Sequence, residues 1–418
     1  MLTNMRRVTL VAAAAAASLL PAAAFAGGYL VPNVNPRDLG ASGSLVASQN
    51  TAEAVYVNPA ALAGQDGLSI VANATLIDFS SSWTDISGQF SQQSPVDLTH
   101  KAAFPPSLFA SYGMKLGGFP IGFGAGVNVP AGGLVYWPGD WPGRFYVTTV
   151  NRRVYGIYLT GGIQPIKQVK LGGGLIYYRT TEHLTQALNF LAYESGAELG
   201  AAGGKVSYDL SAEITPFDGI PFTFAIDYKH KADQILTGHA HFDTVPASLV
   251  SKSLDQPLTH ALTVPNLLNL GAAYSILPVL RVTAAYTFDR FIVYQQDLFA
   301  GTLGTSVLVP RRYHNGYTFR LGGEYDVFPG LSVRAGVLRD IAPSNTDVLN
   351  PSIPDANSTA FSLGASYNFT PGLALHAAYF FDKEDTTTTT SGEAFPGSYA
   401  THASIYSLGL TYRLGSPK

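Results

Sequence analysis

The clearest strand pattern in the sequence is Ser404-Ile405-Tyr406-Ser407-Leu408-Gly409-Leu410-Thr411-Tyr412-Arg413-Leu414, near the C-terminal end. Apolar residues alternate in it with small or polar ones, and this period of two predicts a β-strand. The apolar face carries Tyr406, Leu408, Leu410, Tyr412 and Leu414. The opposite face is small and polar. A strand with these two faces separates an apolar environment from a polar one.

The same alternation recurs along the chain and marks fourteen strand regions. In 359–369, for example, Phe361 and Leu363 oppose Ser362 and Gly364. An even number of strands allows an antiparallel barrel to close, which membranes require because an open edge leaves backbone groups unpaired in lipid. The fourteen regions are 67–79, 105–117, 119–130, 152–164, 167–181, 203–214, 220–242, 265–276, 279–293, 313–326, 330–341, 359–369, 372–382 and 404–414.

Residues 1–26 have the pattern of a cleaved export signal. Arg6 and Arg7 precede an apolar run, and Ala24-Phe25-Ala26 forms a small-x-small cleavage site. The run is shorter than the about 20 residues that span a bilayer, so we predict a signal peptide and not a membrane anchor. The protein is therefore predicted to be exported. It contains no cysteine, so it must be stable without disulfides.

Composition favours a bacterial outer-membrane barrel over other exported proteins. The 418 residues include 43 glycines, 23 tyrosines and 23 phenylalanines, and only 13% are charged. A soluble β-sandwich is the alternative, but predicted strands of about ten residues or more are long for a soluble sheet and fit a tilted membrane crossing. Tight turns also alternate with long loops, as in outer-membrane barrels. The 25 lysines and arginines are scattered, which argues against nucleic-acid binding.

Seven polar insertions are predicted to be outer loops. In 182–202 the apolar residues have helical spacing, and we expect a short helix at the mouth of the barrel there. Region 220–242 is long enough for two strands, but we predict one, because Tyr228-Lys229-His230-Lys231 contains no turn residue. The predicted loops are 80–104, 131–151, 182–202, 243–264, 294–312, 342–358 and 383–403.

The segment 27–66, before the first strand, lacks the alternation of the rest. It is rich in Asn, Ser, Gly and Ala, and it contains Pro32, Pro36 and Pro59. A segment that cannot join the sheet needs another position, and the lumen of a closed barrel offers one. We therefore expect 27–66 to form a hatch inside an all-β barrel made by 67–418.

Several short motifs occur in an order that resembles one family. They are Gly28-Tyr29, Leu39-Gly40, Tyr56-Val57-Asn58-Pro59-Ala60-Ala61-Leu62, Pro105-Pro106-Ser107-Leu108-Phe109, Gly124-Ala125-Gly126-Val127-Asn128-Val129-Pro130, Trp141-Pro142-Gly143-Arg144, Arg320-Leu321-Gly322-Gly323-Glu324-Tyr325 and Leu331-Ser332-Val333-Arg334-Ala335-Gly336. Over essentially the whole mature chain, the sequence resembles the FadL-type outer-membrane transporters of long-chain fatty acids and other hydrophobic compounds. The resemblance implies fourteen strands, a hatch with Asn58, Pro59 and Ala60, and a third strand kinked inward to open the wall.

Region 119–130 independently predicts a weak point in the wall. Gly122, Gly124 and Gly126 alternate in it, and it ends in Asn128-Val129-Pro130. Glycine in a strand marks a bend or a close approach, and proline lacks the N–H that a strand ladder needs. We expect the three glycines, Asn128 and Pro130 to line a lateral opening. The alternative is that the glycines are small residues that pack beneath the hatch.

Loop 131–151 carries an apolar group that we expect to contact the ligand. An exposed apolar group of this size marks a binding site, although tryptophan and tyrosine also occur at the membrane interface of any barrel. The candidates are Leu134, Val135, Tyr136, Trp137, Trp141 and Phe145, with Arg144 beside them. For the carboxylate, the resemblance implies two basic positions, one at His314 and one near Arg179 and His183. Because a neutral histidine gives less charge than a lysine, a ligand without a carboxylate stays open.

These features predict a passive uptake channel for long-chain fatty acids, and an aromatic or aliphatic hydrocarbon is the alternative ligand. Moving one methylene from an apolar site into water costs about 0.8 kcal/mol, so the path must be apolar and end at a side exit. A general porin would have no hatch, and an adhesin would need longer loops. The sequence lacks the GxSxG and HExxH motifs of hydrolases. We expect no cofactor or metal, no partner beyond the ligand and outer-membrane lipid, and a monomer.

Overall fold

The structure is a computed structural model that describes residues 28–32, 34–247, 255–303, 306–390 and 392–415. The predicted signal peptide and the last three residues lie outside the described part. Within these ranges, no helix is both long enough and apolar enough to cross a bilayer.

The described residues are mostly in strands, and short helices occur mainly before the first strand. The strands are β1 (Gly67–Thr84), β2 (Val96–Asp97), β3 (Pro106–Leu116), β4 (Phe119–Tyr136), β5 (Thr149–Ile166), β6 (Val169–Asn189), β7 (Glu194–Ile214), β8 (Phe222–Lys229), β9 (Ala232–Phe242), β10 (Gln256–Val264), β11 (Leu267–Leu277), β12 (Leu280–Asp289), β13 (Gln296–Gly301), β14 (Ser306–Pro310), β15 (Gly316–Phe328), β16 (Leu331–Ile341), β17 (Ser358–Thr370), β18 (Leu373–Glu384), β19 (Thr387–Thr389) and β20 (Gly397–Leu414). The α-helices are α1 (Pro36–Leu39) and α2 (Ala54–Val57). The 3-10 helices are Leu45–Ala47, Pro59–Gly64, Ser91–Gln93, Phe291–Val293 and Thr346–Val348.

The strands close into one antiparallel barrel. β1 pairs with β20 from Leu68 opposite Leu414 to Thr84 opposite Ser398, and its other edge pairs with β3. Pairing of the first wall strand with the last satisfies the backbone groups that an open sheet would leave exposed to lipid. The wall has fourteen strands, which confirms the prediction. Two wall strands are each interrupted, so that β8 and β9 together form one wall strand and β10 and β11 together form another. The short strands β2, β13, β14 and β19 belong to the loops.

The side chains of the wall have the polarity that a membrane barrel requires. Large apolar side chains face outward, and Leu159 and Leu363 are each 64% exposed. Inward positions carry buried polar groups, for example Thr75 and Ser407, whose hydroxyl oxygens are 2.7 Å apart. In β20, Leu408 faces out and Ser407 faces in. This arrangement is the reverse of a soluble β-sandwich and matches an outer-membrane barrel.

Some predicted boundaries and one predicted helix are wrong. Residues 182–202 form no helix, because they lie at the ends of β6 and β7, where Leu184 pairs with Leu199. A spacing of four residues fits a helix but equally fits one face of a strand. β10 begins at Gln256, within a predicted loop, and β4 continues to Tyr136.

The predicted hatch segment packs against the inside of the wall. The Asn58-Pro59-Ala60 motif is buried, and Asn58 Nδ2 donates to Glu213 Oε2 at 3.2 Å. The Ala60 N–H donates to Ser211 Oγ at 2.9 Å. At Gly172 of β6, a Cβ atom would lie 2.2 Å from the nitrogen of Ala60, so only glycine fits there. The motif therefore holds the hatch close against β6 and β7.

The third wall strand, β4, separates from β3 halfway along its length but stays paired with β5 as far as Tyr136 opposite Thr149. β3 pairs with it only as far as Leu108 opposite Val127. Its register with β5 then shifts between Asn128 and Ala131, which is a β-bulge. Residues 128–135 are buried at every position, whereas a wall strand is buried at alternate positions. Both faces of the outer half of β4 are therefore covered by other residues of the protein.

Candidate functional site

A largely apolar cavity of about 360 Å³ lies at the loop end of the barrel. We call it the outer cavity. Its volume falls within the range of about 300–1,000 Å³ that is usual for ligand sites. Its apolar walls include Val150, Leu184, Leu199, Leu258, Phe299 and Val307. Three buried charged side chains, Arg152, Asp297 and Arg311, also line it.

Asp297, in β13 of the outer loops, is the centre of a charged group at the inner end of this cavity. Arg311 donates to its Oδ2 from Nε at 2.9 Å and from Nη2 at 2.7 Å. The hydroxyl of Tyr294 lies 2.7 Å from both carboxylate oxygens. Burial alone would raise the pKa of Asp297, but Arg311 and Arg152 hold the pKa well below its usual range. Asp297 is therefore ionised, while burial raises the pKa of Tyr294 to about 12 and keeps that phenol protonated.

Glu182 and His260 complete the group, which we call the charged cluster: Arg152, Glu182, His260, Asp297 and Arg311. Arg152 Nε donates to Glu182 Oε2 at 2.8 Å. His260 lies between the two carboxylates, with Nδ1 3.1 Å from Glu182 Oε1 and Nε2 2.9 Å from Asp297 Oδ1. A neutral imidazole has one ring nitrogen without a proton, and its lone pair would face one of these two negatively charged carboxylates. This position therefore favours the doubly protonated ring. With that ring, the cluster holds three cations and two anions.

Tyr29, near the start of the hatch, packs beneath the charged cluster. Tyr29 is buried, and its ring contacts Phe291 and Tyr294 edge-on, with the centroids 5.3 Å from each. Its hydroxyl donates to the carbonyl oxygen of Thr263. The guanidinium of Arg152 lies 5.7 Å from the centre of the ring. Tyr29 therefore forms part of the floor beneath the charged cluster.

A second cavity, of about 100 Å³, lies on the other side of this floor. We call it the inner cavity, and its lining includes Leu30, Tyr56 and Pro130. Pro130 belongs to the bulge of β4, and its carbonyl oxygen accepts a hydrogen bond from the Val31 N–H at 2.9 Å. Leu30 also forms a β-bridge with Ala131. The inner cavity thus reaches the wall where β4 leaves β3, and the N-terminal segment is bonded to that edge.

The three predicted glycines of the kinked strand face the interior. A Cβ atom would lie 2.1 Å from the Leu62 carbonyl oxygen at Gly122, 2.5 Å from Val55 Cγ2 at Gly124, and 2.0 Å from the Phe109 ring at Gly126. Their small size therefore admits atoms of the hatch and the wall, as the packing alternative expects, while the lateral opening at these glycines stays a prediction. Asn128 accepts a hydrogen bond from the Tyr158 hydroxyl at 2.9 Å, next to the bulge. Of the predicted positions, Pro130 reaches the inner cavity.

Two of the aromatic residues predicted for the ligand groove, Trp137 and Trp141, belong to a packed aromatic cluster beside the outer cavity. Trp137 and Trp141 are buried and stacked, with ring centroids 4.3 Å apart. Trp141 also contacts Trp83 and Phe395 edge-on. From the same loop, Tyr146 lines the cavity. The predicted residues outside its lining are Leu134, Val135, Tyr136, Trp137, Trp141 and Phe145.

The four predicted basic residues also lie outside the lining of the outer cavity. Arg179 and His183 are on the outward-facing side of β6, where odd-numbered positions point away from the lumen. Arg144 is paired with Glu194, and His314 is exposed in a loop. Contact of these side chains with a ligand stays a prediction, and the pleat of β6 and the course of the loop place them outside the lining of this cavity.

Sequence reasoning missed the two arginines that do line the cavity. Each stands in a pair, Arg152-Arg153 and Arg311-Arg312, and the first member of each pair is buried. The alternation of the strand could have predicted that Arg152 faces inward, because Val150 and Val154 lie on the same face and are buried. A charged residue in register with buried apolar ones points into the barrel.

Comparisons with known proteins agree with this architecture. Residues 17–414 match the family model described as outer membrane protein transport protein (OMPP1/FadL/TodX). A solved FadL homologue from Pseudomonas aeruginosa has a TM-score of 0.83 at 19% identity, covering 92% of this chain and 99% of that one. The P. putida toluene transporter TodX has a TM-score of 0.71 at 15% identity, covering 94% and 100%. The monoaromatic hydrocarbon channel CymD has a TM-score of 0.69 at 16% identity, covering 92% and 100%. The search of functionally curated proteins gave no match.

At these identities the solved structures show a shared fold, whereas the family model shows descent along the chain. Its match covers nearly all of the barrel and the hatch motif. The closed wall with an apolar outer face and a hatch segment inside agrees with that assignment. The chain therefore belongs to the FadL/TodX family of outer-membrane β-barrel channels, which transport hydrophobic compounds.

Proposed function

We propose that this protein is an uptake channel for long-chain fatty acids, which bind with the carboxylate at the charged cluster and the acyl chain in the outer cavity. One observation carries the proposal: a largely apolar cavity ends at a buried cluster of three cations and two anions. The apolar wall suits the acyl chain, and Arg152 and Arg311 line the same cavity.

The charge balance of the cluster favours a ligand with one negative charge. A net charge in a buried site is costly, because the surroundings solvate it less well than water does. One carboxylate would bring the cluster to neutrality. Guanidinium groups also match the planar, two-oxygen geometry of a carboxylate. Both arguments depend on a doubly protonated His260 between Glu182 and Asp297.

The onward path we propose passes Tyr29, enters the inner cavity and leaves through the wall at the bulge of β4. Support comes from the lining of the inner cavity, which includes both the N-terminal segment and Pro130. A lateral exit keeps the acyl chain in apolar surroundings. The axial route would expose it to water at about 0.8 kcal/mol per methylene. Passage requires Tyr29 to move, because its side chain is buried against Arg152, which lines the outer cavity, and the next residue, Leu30, lines the inner cavity.

An aromatic or aliphatic hydrocarbon is the second candidate ligand, and a specific observation favours it. Each arginine of the cluster already has a carboxylate partner, Arg152 in Glu182 and Arg311 in Asp297. An uncharged ligand would leave these pairs intact and occupy only the apolar part of the cavity. The solved structures of similar fold include toluene and monoaromatic hydrocarbon channels.

The test is to compare binding of oleate and oleyl alcohol, which share a chain and differ in charge, by calorimetry in mild detergent. The fatty-acid proposal predicts that Arg152→Gln weakens oleate binding by about tenfold or more, the value of one charge-assisted hydrogen bond. Binding of oleyl alcohol should not change. Arg153→Gln is the matched control, because the neighbouring arginine lies on the other face of β5.

The hydrocarbon alternative predicts that the wild-type protein binds oleate and oleyl alcohol with equal affinity. It also predicts that Arg152→Gln changes neither affinity. The thermal midpoint of each variant should be measured in parallel, since Arg152→Gln removes a partner from buried Glu182. A second pair, Arg311→Gln and its exposed neighbour Arg312→Gln, repeats the comparison at the other side of the cluster.

A further inference from the structure

A third cavity, of about 260 Å³, lies beneath the hatch at the opposite end of the barrel. This is the end with the tight turns and with the start of the first wall strand, so in an outer-membrane barrel it faces the periplasm. We call it the periplasmic cavity. Its lining comes from the hatch and from β12, β15, β16, β17, β18 and β20. It is separate from the outer and inner cavities and shares no lining residue with either.

Four arginines line the periplasmic cavity: Arg37, Arg281, Arg334 and Arg413. Arg37 belongs to helix α1 of the hatch, and the other three belong to the wall. Arg37 and Arg334 are buried, with 6% and 5% of their surfaces exposed. Buried guanidinium groups are rare unless anions accompany them. The cavity therefore has an unusual concentration of positive charge.

One partly buried carboxylate, Glu324, is near three of these arginines. Arg334 Nε donates to it at 2.6 Å, while the nearest nitrogens of Arg37 and Arg281 are 3.6 and 3.7 Å away. The other acidic residue in the lining, Asp326, is exposed and accepts a hydrogen bond from Ser332. Four cations and two anions in the lining leave an excess of two positive charges.

The remaining polar groups hold the arginines in place around the space. Arg334 Nη1 donates to Ser366 Oγ at 2.6 Å, and Arg281 Nη1 donates to Ser48 Oγ of the hatch at 3.0 Å. Arg413 Nη2 donates to the hatch carbonyl oxygen of Asn50 at 3.1 Å. These bonds fix the guanidinium groups in advance, which lowers the entropy cost of binding a ligand.

We propose that the periplasmic cavity binds a small phosphate-type dianion, which links Arg37 of the hatch to the arginines of the wall and so holds the hatch in its seated position. An excess of two charges matches a dianion, and forked guanidinium groups suit the oxygens of a phosphate. The dianion can be free phosphate or the phosphate of a glycerol headgroup, which have the same recognition chemistry.

The binding test uses the full mature chain in mild detergent at low ionic strength, titrated with inorganic phosphate and, separately, with glycerol phosphate. We expect saturable binding that raises the thermal midpoint, since a ligand of the folded state stabilises it. Arg413→Gln and Arg281→Gln should each weaken binding by about tenfold, the effect of one lost charge-assisted hydrogen bond. Tighter binding of glycerol phosphate than of phosphate would identify the headgroup as the natural source.

The matched control is Lys167→Gln, which removes one positive charge from the same end of the barrel. Lys167 is exposed, pairs with Asp218 and lies outside the cavity lining. Its variant should bind phosphate as the wild type does. Two results would overturn the proposal: chloride at matched ionic strength stabilises the protein as much as phosphate does, or Lys167→Gln weakens binding as much as Arg413→Gln does.

Hydrogen exchange tests the link to the hatch separately. With phosphate bound, amides in 51–65 of the hatch should exchange more slowly, and this protection should disappear in Arg413→Gln. Saturable binding without any slowing of hatch exchange would contradict the proposed role in seating the hatch. Absence of saturable binding to either phosphate compound would reject the site itself.

Discussion

The contact between β4 and the hatch can be tested by adding a single methyl group. Gly124 faces helix α2 of the hatch, and a Cβ atom there would lie 2.5 Å from Val55 Cγ2 and 2.6 Å from the Ala110 carbonyl oxygen. Carbon atoms pack at about 3.5–4.0 Å, so in Gly124→Ala the hatch has to move by about 1 Å. Val55 is fully buried, which leaves it little space to adjust alone.

Overpacking of this kind costs about 1–3 kcal/mol. If it acts on the seated hatch, a cost of about 2 kcal/mol raises the population of the displaced hatch by roughly 30-fold. Hydrogen exchange of the amides in 54–64 measures that population directly. We expect exchange there to accelerate by that factor in Gly124→Ala, while amides of β15 to β18 keep their wild-type rates.

The control is Ala125→Val, on the same strand but on its outward face. It should leave hatch exchange unchanged. Val55→Ala in the Gly124→Ala background removes one of the two close contacts and should restore part of the protection, which a double-mutant cycle would measure. If Gly124→Ala and wild type exchange at the same rate in 54–64, the hatch does not rest on this strand and the reasoning is refuted.

Three further predictions follow from the same geometry. Burial raises the pKa of Glu53 in the hatch to about 7, and the nearby Arg37 only partly offsets this shift. Because the pKa is raised, the folded state binds the proton of Glu53 more tightly than the unfolded state does. Stability should therefore fall by about 3 kcal/mol as the pH rises from about 4.5 to about 7, and thermal unfolding of Glu53→Gln should lose this dependence. Tyr29→Ala removes the aromatic ring beneath the charged cluster, so uptake of oleate into liposomes should become faster. The free energy of unfolding should fall by about 3–5 kcal/mol, because a large buried side chain is lost. Slower uptake would contradict the proposed path past Tyr29. His314→Lys should leave oleate affinity within about twofold of wild type, because this side chain is exposed outside the cavity lining.

The strands of the wall could be predicted from the sequence because the pattern of each strand depends only on neighbouring residues. Successive side chains face the lipid and the lumen in turn, so the direction of Leu408 or Leu363 follows from the residues next to it. The kink was predictable for a similar reason, since Pro130 cannot donate to a ladder wherever it lies in the sheet. Residues 182–202 could not be assigned in this way, because a spacing of four residues fits both a helix and one face of a strand. Pairing between β6 and β7 makes them strands in the structure.

The charged cluster was not predictable, because its members come together only in three dimensions. Arg152, Glu182 and His260 lie on three wall strands, while Asp297 and Arg311 come from the outer loops. Alternation shows that Arg152 faces inward, but it does not show which carboxylate is opposite. The position of a partner depends on strand register and loop path, and these are properties of the whole barrel.

Binding of a fatty acid at the charged cluster can be seen in a crystal structure of the protein with a brominated oleate, whose bromine can be located by anomalous scattering. We expect the acyl chain to fill the outer cavity and the carboxylate to lie at hydrogen-bond distance, about 3 Å, from Arg152 or Arg311. A ligand whose carboxylate points to solvent, or one bound away from the charged cluster, would contradict this expectation.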